Sequence, residues 1–184
     1  MKVFLENVLP KILPDYFKYN ENYFLRAHEG KSDLQKSIPT KINAFKKMGF
    51  PVGIIILHDQ DSGDCKILKQ KLIDLCGKDL SGVFLLVRIV CRELESWYLG
   101  DMGAIELAYP RFKARNYKNK AKFRIPDELQ NAANELRIIL PEFQKVQGAK
   151  RISEHITIGN NKSKSFNHFV TGLKSIVEKN KKES

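Results

Sequence analysis

The stretch Ile54-Ile55-Ile56-Leu57-His58-Asp59-Gln60-Asp61-Ser62-Gly63-Asp64-Cys65 decides how this chain reads. Its first half, taken from Val52, is a short β-branched apolar run, the pattern of a strand buried on both faces. Its second half turns abruptly polar and leads into Cys65 to Cys76, where Leu68, Leu72, Ile73 and Leu75 fall on one helical stripe. A buried strand therefore feeds an amphipathic helix. The neighbouring segments repeat the pattern. Tyr23 to Ala27 reads as a strand leading through Gly30 to a helix from Ser32 or Asp33 to Met48, interrupted by Pro39. Val83 to Cys91 reads as a third strand running into a helix from Glu93 to Leu99. Near-continuous apolar strands alternating with helices predict an α/β fold, a parallel sheet sandwiched between helices. Such a sheet gathers its strand C-termini on one edge, where open α/β sheets bind ligands.

Working outward, residues 2–13 carry Val3, Phe4, Val8, Leu9, Ile12 and Leu13 at helical spacing, with Pro10 set to end or kink that helix. Beyond residue 100 the pattern becomes helical and irregular, with helices expected near 127–139 and 166–180. No repeat or linker divides the 184 residues, so residues 1–184 are expected to form one domain, with 110–184 a basic, mostly helical extension packed on it. The longest apolar runs fall well short of the roughly 20 residues a membrane helix needs. Glu6 interrupts what would be the apolar region of a secretory signal, so the expected location is cytoplasmic. Cys65, Cys76 and Cys91 have neither a disulfide pattern nor zinc spacing.

The formal net charge is +11, and its distribution says more than its size. Residues 1–109 hold 15 basic and 14 acidic side chains, whereas 110–184 hold 17 and 7. From Pro110 to Pro126 there are seven cations and no acid, interleaved with Phe112, Tyr117 and Phe123. That spacing suits phosphate contact with base stacking, and equally a solvated basic surface. Lys120, Lys122, Arg124, Lys145, Lys150 and Arg151 are the candidate phosphate contacts.

Asp59, Asp61 and Asp64 stand within six residues at a strand end. Crowded carboxylates repel, and a hard divalent cation relieves that repulsion. The alternative for Asp64 is a cap on the following helix. Glu93 and Glu95 follow the next strand and would emerge on the same edge, either as further ligands or as first-turn carboxylates favoured by the helix dipole. An oxygen-only site of this kind would hold Mg2+ or Mn2+ and orient phosphate and water. Neither HExxH spacing, a GxSxG elbow nor a GxxxxGK[ST] loop occurs, which disfavours zinc hydrolases, serine hydrolases and P-loop ATPases.

The acidic segment Leu57 to Cys65, the segment Arg92-Glu93-Leu94-Glu95-Ser96-Trp97-Tyr98-Leu99-Gly100-Asp101, and the short runs Asn119 to Phe123 and Gln144 to Ala149 together resemble the bacterial family catalogued as domain of unknown function 4276. That family in turn looks like the TOPRIM (topoisomerase-primase) fold of nucleases of the overcoming-lysogenization-defect kind, found in antiphage and mobile-element operons beside AAA-type ATPases. The resemblance implies a Rossmann-like domain in which the DxD pair Asp59 and Asp61 binds Mg2+ for phosphodiester chemistry, with Glu93 or Glu95 added. It also implies a first strand ending in a catalytic glutamate. The chain as read begins at Met1 within the helix after that strand, and Glu6 does not match the missing position. Two readings stay open: a start codon set downstream of the true one, or a chain lacking one central strand, with weakened metal binding and a sheet edge free for dimerisation or a partner.

The expected function is a Mg2+-dependent nuclease or nuclease-related subunit, with Asp59, Asp61 and Glu95 in the catalytic roles. The alternatives are a non-catalytic subunit that binds nucleic acid or an ATPase, its acidic cluster vestigial, and a small-molecule phosphate enzyme.

Overall fold

The computed structural model describes residues 1–60 and 62–183. Its centre is a parallel pair of strands, β1 (Val52–Asp59) and β2 (Val83–Val90), in the register Val52↔Val83 through Asp59↔Val90. The β-branched runs thus form the expected strands and end together, so the chain leaves both strands at one edge of the sheet. Among the described residues the sheet has these two strands alone.

Strand alternation assigns the two faces. Ile56, Val83 and Val87 pack with Ile38 and Ile42 of α2 (Lys31–Lys46) and with Leu72 of α3 (Cys65–Leu75). The opposite face meets α8 (Lys164–Glu183). A Cβ added at Gly53 would touch Ile176 at 3.3 Å, and Arg88 donates through Nε to the His168 carbonyl at 3.0 Å. Helices thus cover both faces, as the apolar strand pattern requires. α2 runs through exposed Pro39, since burying Ile38 and Ile42 outweighs the one backbone bond that proline forfeits.

The expected strand at Tyr23 to Ala27 is not formed. Residues 24–27 are irregular, and Tyr23 makes only an isolated bridge to Tyr19. Phe24 and Arg26 face solvent, and among the described residues no strand lies alongside to supply a ladder, without which β-propensity has nothing to act on.

The remaining chain builds the larger core. α1 (Lys2–Val8) ends in a 3-10 turn at Leu9–Lys11 containing Pro10, as that proline dictates. α4 (Glu95–Leu99), α5 (Met102–Ala108), α6 (Ala132–Ile139) and α7 (Lys145–His155) follow. Trp97, Phe4, Phe166 and Phe169 form its aromatic centre, with Trp97 stacked on Phe169 at 5.4 Å and tilted against Phe4 at 5.7 Å. Residues from Phe4 to Leu173 contribute to this one cluster, so the basic C-terminal segment shares the core of the N-terminal part.

Polar ties fix the helices on one another. Trp97 Nε1 donates to Ser165 Oγ at 2.8 Å, and the Asp127 carboxylate accepts from the Ser165 amide at 2.9 Å at the start of α8. The Lys11 ammonium reaches the carbonyls of Ser153, Glu154 and Ile156 at the end of α7, where the helix dipole favours a cation. The three cysteines are free thiols.

Candidate functional site

The C-terminal edge of the sheet is tied across before it diverges. The Gln60 amide donates to the Val90 carbonyl at 2.9 Å, and its side-chain Oε1 accepts from the Arg92 amide at 3.2 Å. Arg92 lies in the left-handed region at φ 61°, an uncommon setting for a residue with a side chain. This reversal takes the chain from β2 directly into Glu93 and the short α4.

Asp59, the last residue of β1, is half-buried, and its Oδ1 is buried without a hydrogen-bond partner. Burial raises its pKa above the usual carboxylate value; the Met1 ammonium, His58 and Lys31 oppose the rise, and Glu93 adds to it. Glu95 is more enclosed, with a side chain only 8% exposed and Lys145 Nζ at 4.0 Å from Oε1. Burial again raises its pKa, its own amide and Lys145 lower it, and Glu93 and Asp59 push it up. Tyr98, one turn along α4, has its phenol driven well above its ordinary value by burial, with Glu95 and Asp59 contributing. Asp59, Glu93, Glu95 and Tyr98 therefore share one low-dielectric neighbourhood. A carboxylate there is costly unless a proton or a cation neutralises it.

The other acidic candidates stand elsewhere or are engaged. Glu93 Oε2 accepts the Ala133 amide at 2.9 Å at the start of α6. Asp64 is the N-cap of α3, its Oδ1 accepting the amides of Lys66 at 2.7 Å and Ile67 at 3.0 Å. Its exposed carboxylate thus takes the capping role that was the alternative to metal ligation. Asp61 lies outside the described residues. Among the described residues no three His, Cys, Asp or Glu side chains group closely enough to hold a metal ion.

The basic candidates divide in the same way. Lys122 pairs with Glu135, Lys120 sits 4.8 Å over the Tyr117 ring, and the Arg151 guanidinium lies 5.5 Å from the Tyr109 ring centre. Arg124 and Lys150 are exposed, as are Arg111, Arg115 and Lys118. Of the two readings of this segment, base stacking or a solvated basic surface, the placement of the rings favours the second. Phe112 and Phe123 are core residues, and Tyr117 is already stacked on Phe112 at 5.2 Å, with Phe123 at its edge. The alternation of cation and ring is the signature of an irregular segment that turns its rings inward and its charges outward.

Tyr98 and Arg92 were missed from sequence as members of this neighbourhood. Tyr98 follows Glu95 by three residues, a helical spacing that could have flagged it. Arg92 carries no local signal, because its left-handed turn is set by the cross-strand bond to Gln60. The pairing of Lys145 with Glu95 spans fifty positions and is equally invisible in the order of residues.

No helix of the described residues is long and apolar enough to cross a membrane. Comparison with curated proteins gives no match, and comparison with solved structures gives none. A family description matches residues 1–174, nearly the whole chain. The protein with this acidic sheet edge and basic C-terminal surface belongs to the family described as Domain of unknown function (DUF4276).

Proposed function

We propose that this protein is a metal-dependent phosphodiesterase of nucleic acids, a nuclease or nuclease-related subunit built on a TOPRIM-like sheet edge. The observation that carries the reading is the buried Oδ1 of Asp59, which has no hydrogen-bond partner at the C-terminal edge of parallel strands, while the enclosed carboxylate of Glu95 follows the neighbouring strand. An orphaned carboxylate oxygen in such a place is destabilising by itself, which marks it as a group kept for a ligand. The donors are all oxygens, which fits Mg2+ or Mn2+ rather than a soft metal. Asp59 and Glu95 would hold the ion, and Glu93 would support it through its second oxygen. Bound there, the ion would supply Lewis-acid polarisation of a phosphoryl oxygen. The chain itself excludes water around Glu95, and the exposed Arg111, Arg115, Lys118, Arg124 and Lys150 offer charge to a phosphate backbone.

A second reading is a nucleic-acid-binding subunit whose acidic edge no longer performs chemistry. It is favoured by the engagement of Glu93 at the start of α6 and by the lack of three grouped ligands among the described residues.

Titration with Mn2+ and cleavage assays on DNA and RNA separate the two. The first reading expects Mn2+ binding and Mn2+-dependent cleavage that Asp59→Asn and Glu95→Gln each abolish. Asp64→Ala should keep both while lowering the thermal midpoint through loss of its cap. Salt-sensitive binding to nucleic acid without cleavage would support the second reading. Undiminished Mn2+ binding and cleavage in Asp59→Asn would remove the first.

A further inference from the structure

We propose that β1 is the seam of a two-fold homodimer, pairing antiparallel with β1 of a second copy of this chain so that the two sheets join into one. Nothing in this interface depends on the acidic edge or on nucleic acid.

The bonding of β1 to β2 fixes which of its backbone groups are spare. The Val52 amide donates to the Gly82 carbonyl and the Gln60 amide to the Val90 carbonyl, both at 2.9 Å. Parallel strands bond through alternate residues, so Val52, Ile54, Ile56 and His58 turn toward β2. Gly53, Ile55 and Leu57 turn their N–H and C=O groups away from it. Among the described residues those outward groups have no hydrogen-bond partner. The outer edge of β2 is treated differently: the Val83 amide bonds the Leu80 carbonyl, and Arg88 Nη1 donates to the Val87 carbonyl at 3.2 Å.

Natural edge strands are blunted with charges, proline or bulges against unwanted pairing. β1 has none of these between Val52 and Leu57, and its register with β2 is unbroken. On the face toward α8, Gly53 is exposed and Ile55 is 36% exposed, although both sit inside the strand, and Phe50 just ahead of it is 60% exposed. An apolar edge left open in this way calls for another strand.

The strand that fits is β1 itself. Laid antiparallel about Ile55, two copies set Ile55 opposite Ile55 and Gly53 opposite Leu57. Each is a pair that exchanges both backbone bonds, because the three outward residues are symmetric about Ile55. Their side chains share one face of the joined sheet, with the glycine leaving room for the leucine. No charge within Val52–Leu57 meets its own copy. The positive excess belongs to residues 110–184, whereas β1 belongs to the part whose charges nearly cancel. The same patch serves on both copies, so the contact closes at two subunits.

The test is sedimentation velocity over a dilution series, joined to amide hydrogen exchange read by NMR. The wild type should sediment as a dimer that dissociates on dilution. In the dimer the amides of Gly53, Ile55 and Leu57 should exchange as slowly as those of Ile54 and Ile56, and dilution should speed the first three selectively. Ile55→Lys, which sets two ammonium groups face to face at the axis, should weaken self-association by about tenfold or more, and Ile55→Val should retain it. Ile67→Lys, the same exchange at a 72% exposed site on α3, should leave the dimer intact. A monomer at every concentration, a dimer of unchanged affinity in Ile55→Lys, or fast exchange of the three outward amides in the wild-type dimer overturns the seam. Should Ile55→Lys fail to fold, the wild-type exchange pattern decides alone.

Discussion

Asp59 and Glu95 are acids whose native pKa values lie above their ordinary ones, chiefly through burial. Between the ordinary value and the raised one, the native protein holds more protons at these positions than the unfolded chain does. Stability therefore falls as pH rises through that window, and the loss persists in full above it. Asp59→Asn and Glu95→Gln are expected to raise the thermal midpoint at neutral pH, by about 2–4 °C for each kcal/mol relieved. They should also flatten the decline just above the usual carboxylate range, as melting curves across a pH series would show. If the proposed metal site is real, Mn2+ should raise the thermal midpoint of the wild type and of neither variant, because a ligand stabilises only the state that binds it. A substitution that stabilises while it disables is the mark of a group retained for function.

At the scale of elements, the join between α4 and the start of α8 depends on a close approach. Gly100 faces the Asn161 side chain, whose Nδ2 donates to the Trp97 carbonyl at 2.8 Å and whose Oδ1 accepts the Ser163 amide at 2.8 Å. Gly100→Ala would press a methyl into that amide and should cost about 1–3 kcal/mol in denaturant unfolding. Elements like β1, β2, α3 and α8 were legible in the sequence because each carries its own periodicity across a whole segment. Tyr23 to Ala27 shows the limit. Its residues favour a strand, but a strand exists only where a neighbour pairs with it, and that is a property of the fold rather than of the five residues. α5 and α7 went unnamed for the opposite reason. Their small residues, such as Ala104, Gly148 and Ala149, give a weak apolar stripe, although close packing buries them.

For the molecule as a whole, the acidic edge was legible through a topological argument, since β1 and β2 are parallel and end at the same level. What could not be read was which acid would be buried, which would cap a helix and which would meet Lys145. Those outcomes depend on α4, α6 and α7 converging from distant parts of the chain. The choice between a base-stacking and a solvated basic surface for residues 110–126 was hidden on the same ground, since Phe112 and Phe123 belong to the core. That core is divided unevenly: among the described residues, 29 buried residues form the cluster that contains Trp97, while 7 hold α2 and α3 to the sheet. The unequal division should express itself as two tiers of cooperative opening. Deuterium uptake followed by mass spectrometry is expected to reach the amides of α2 and α3 well before those of α1, α4 and the first turns of α8. The layer beside His58 would then breathe while the aromatic centre stays shut, giving the acidic edge one yielding wall and one rigid one.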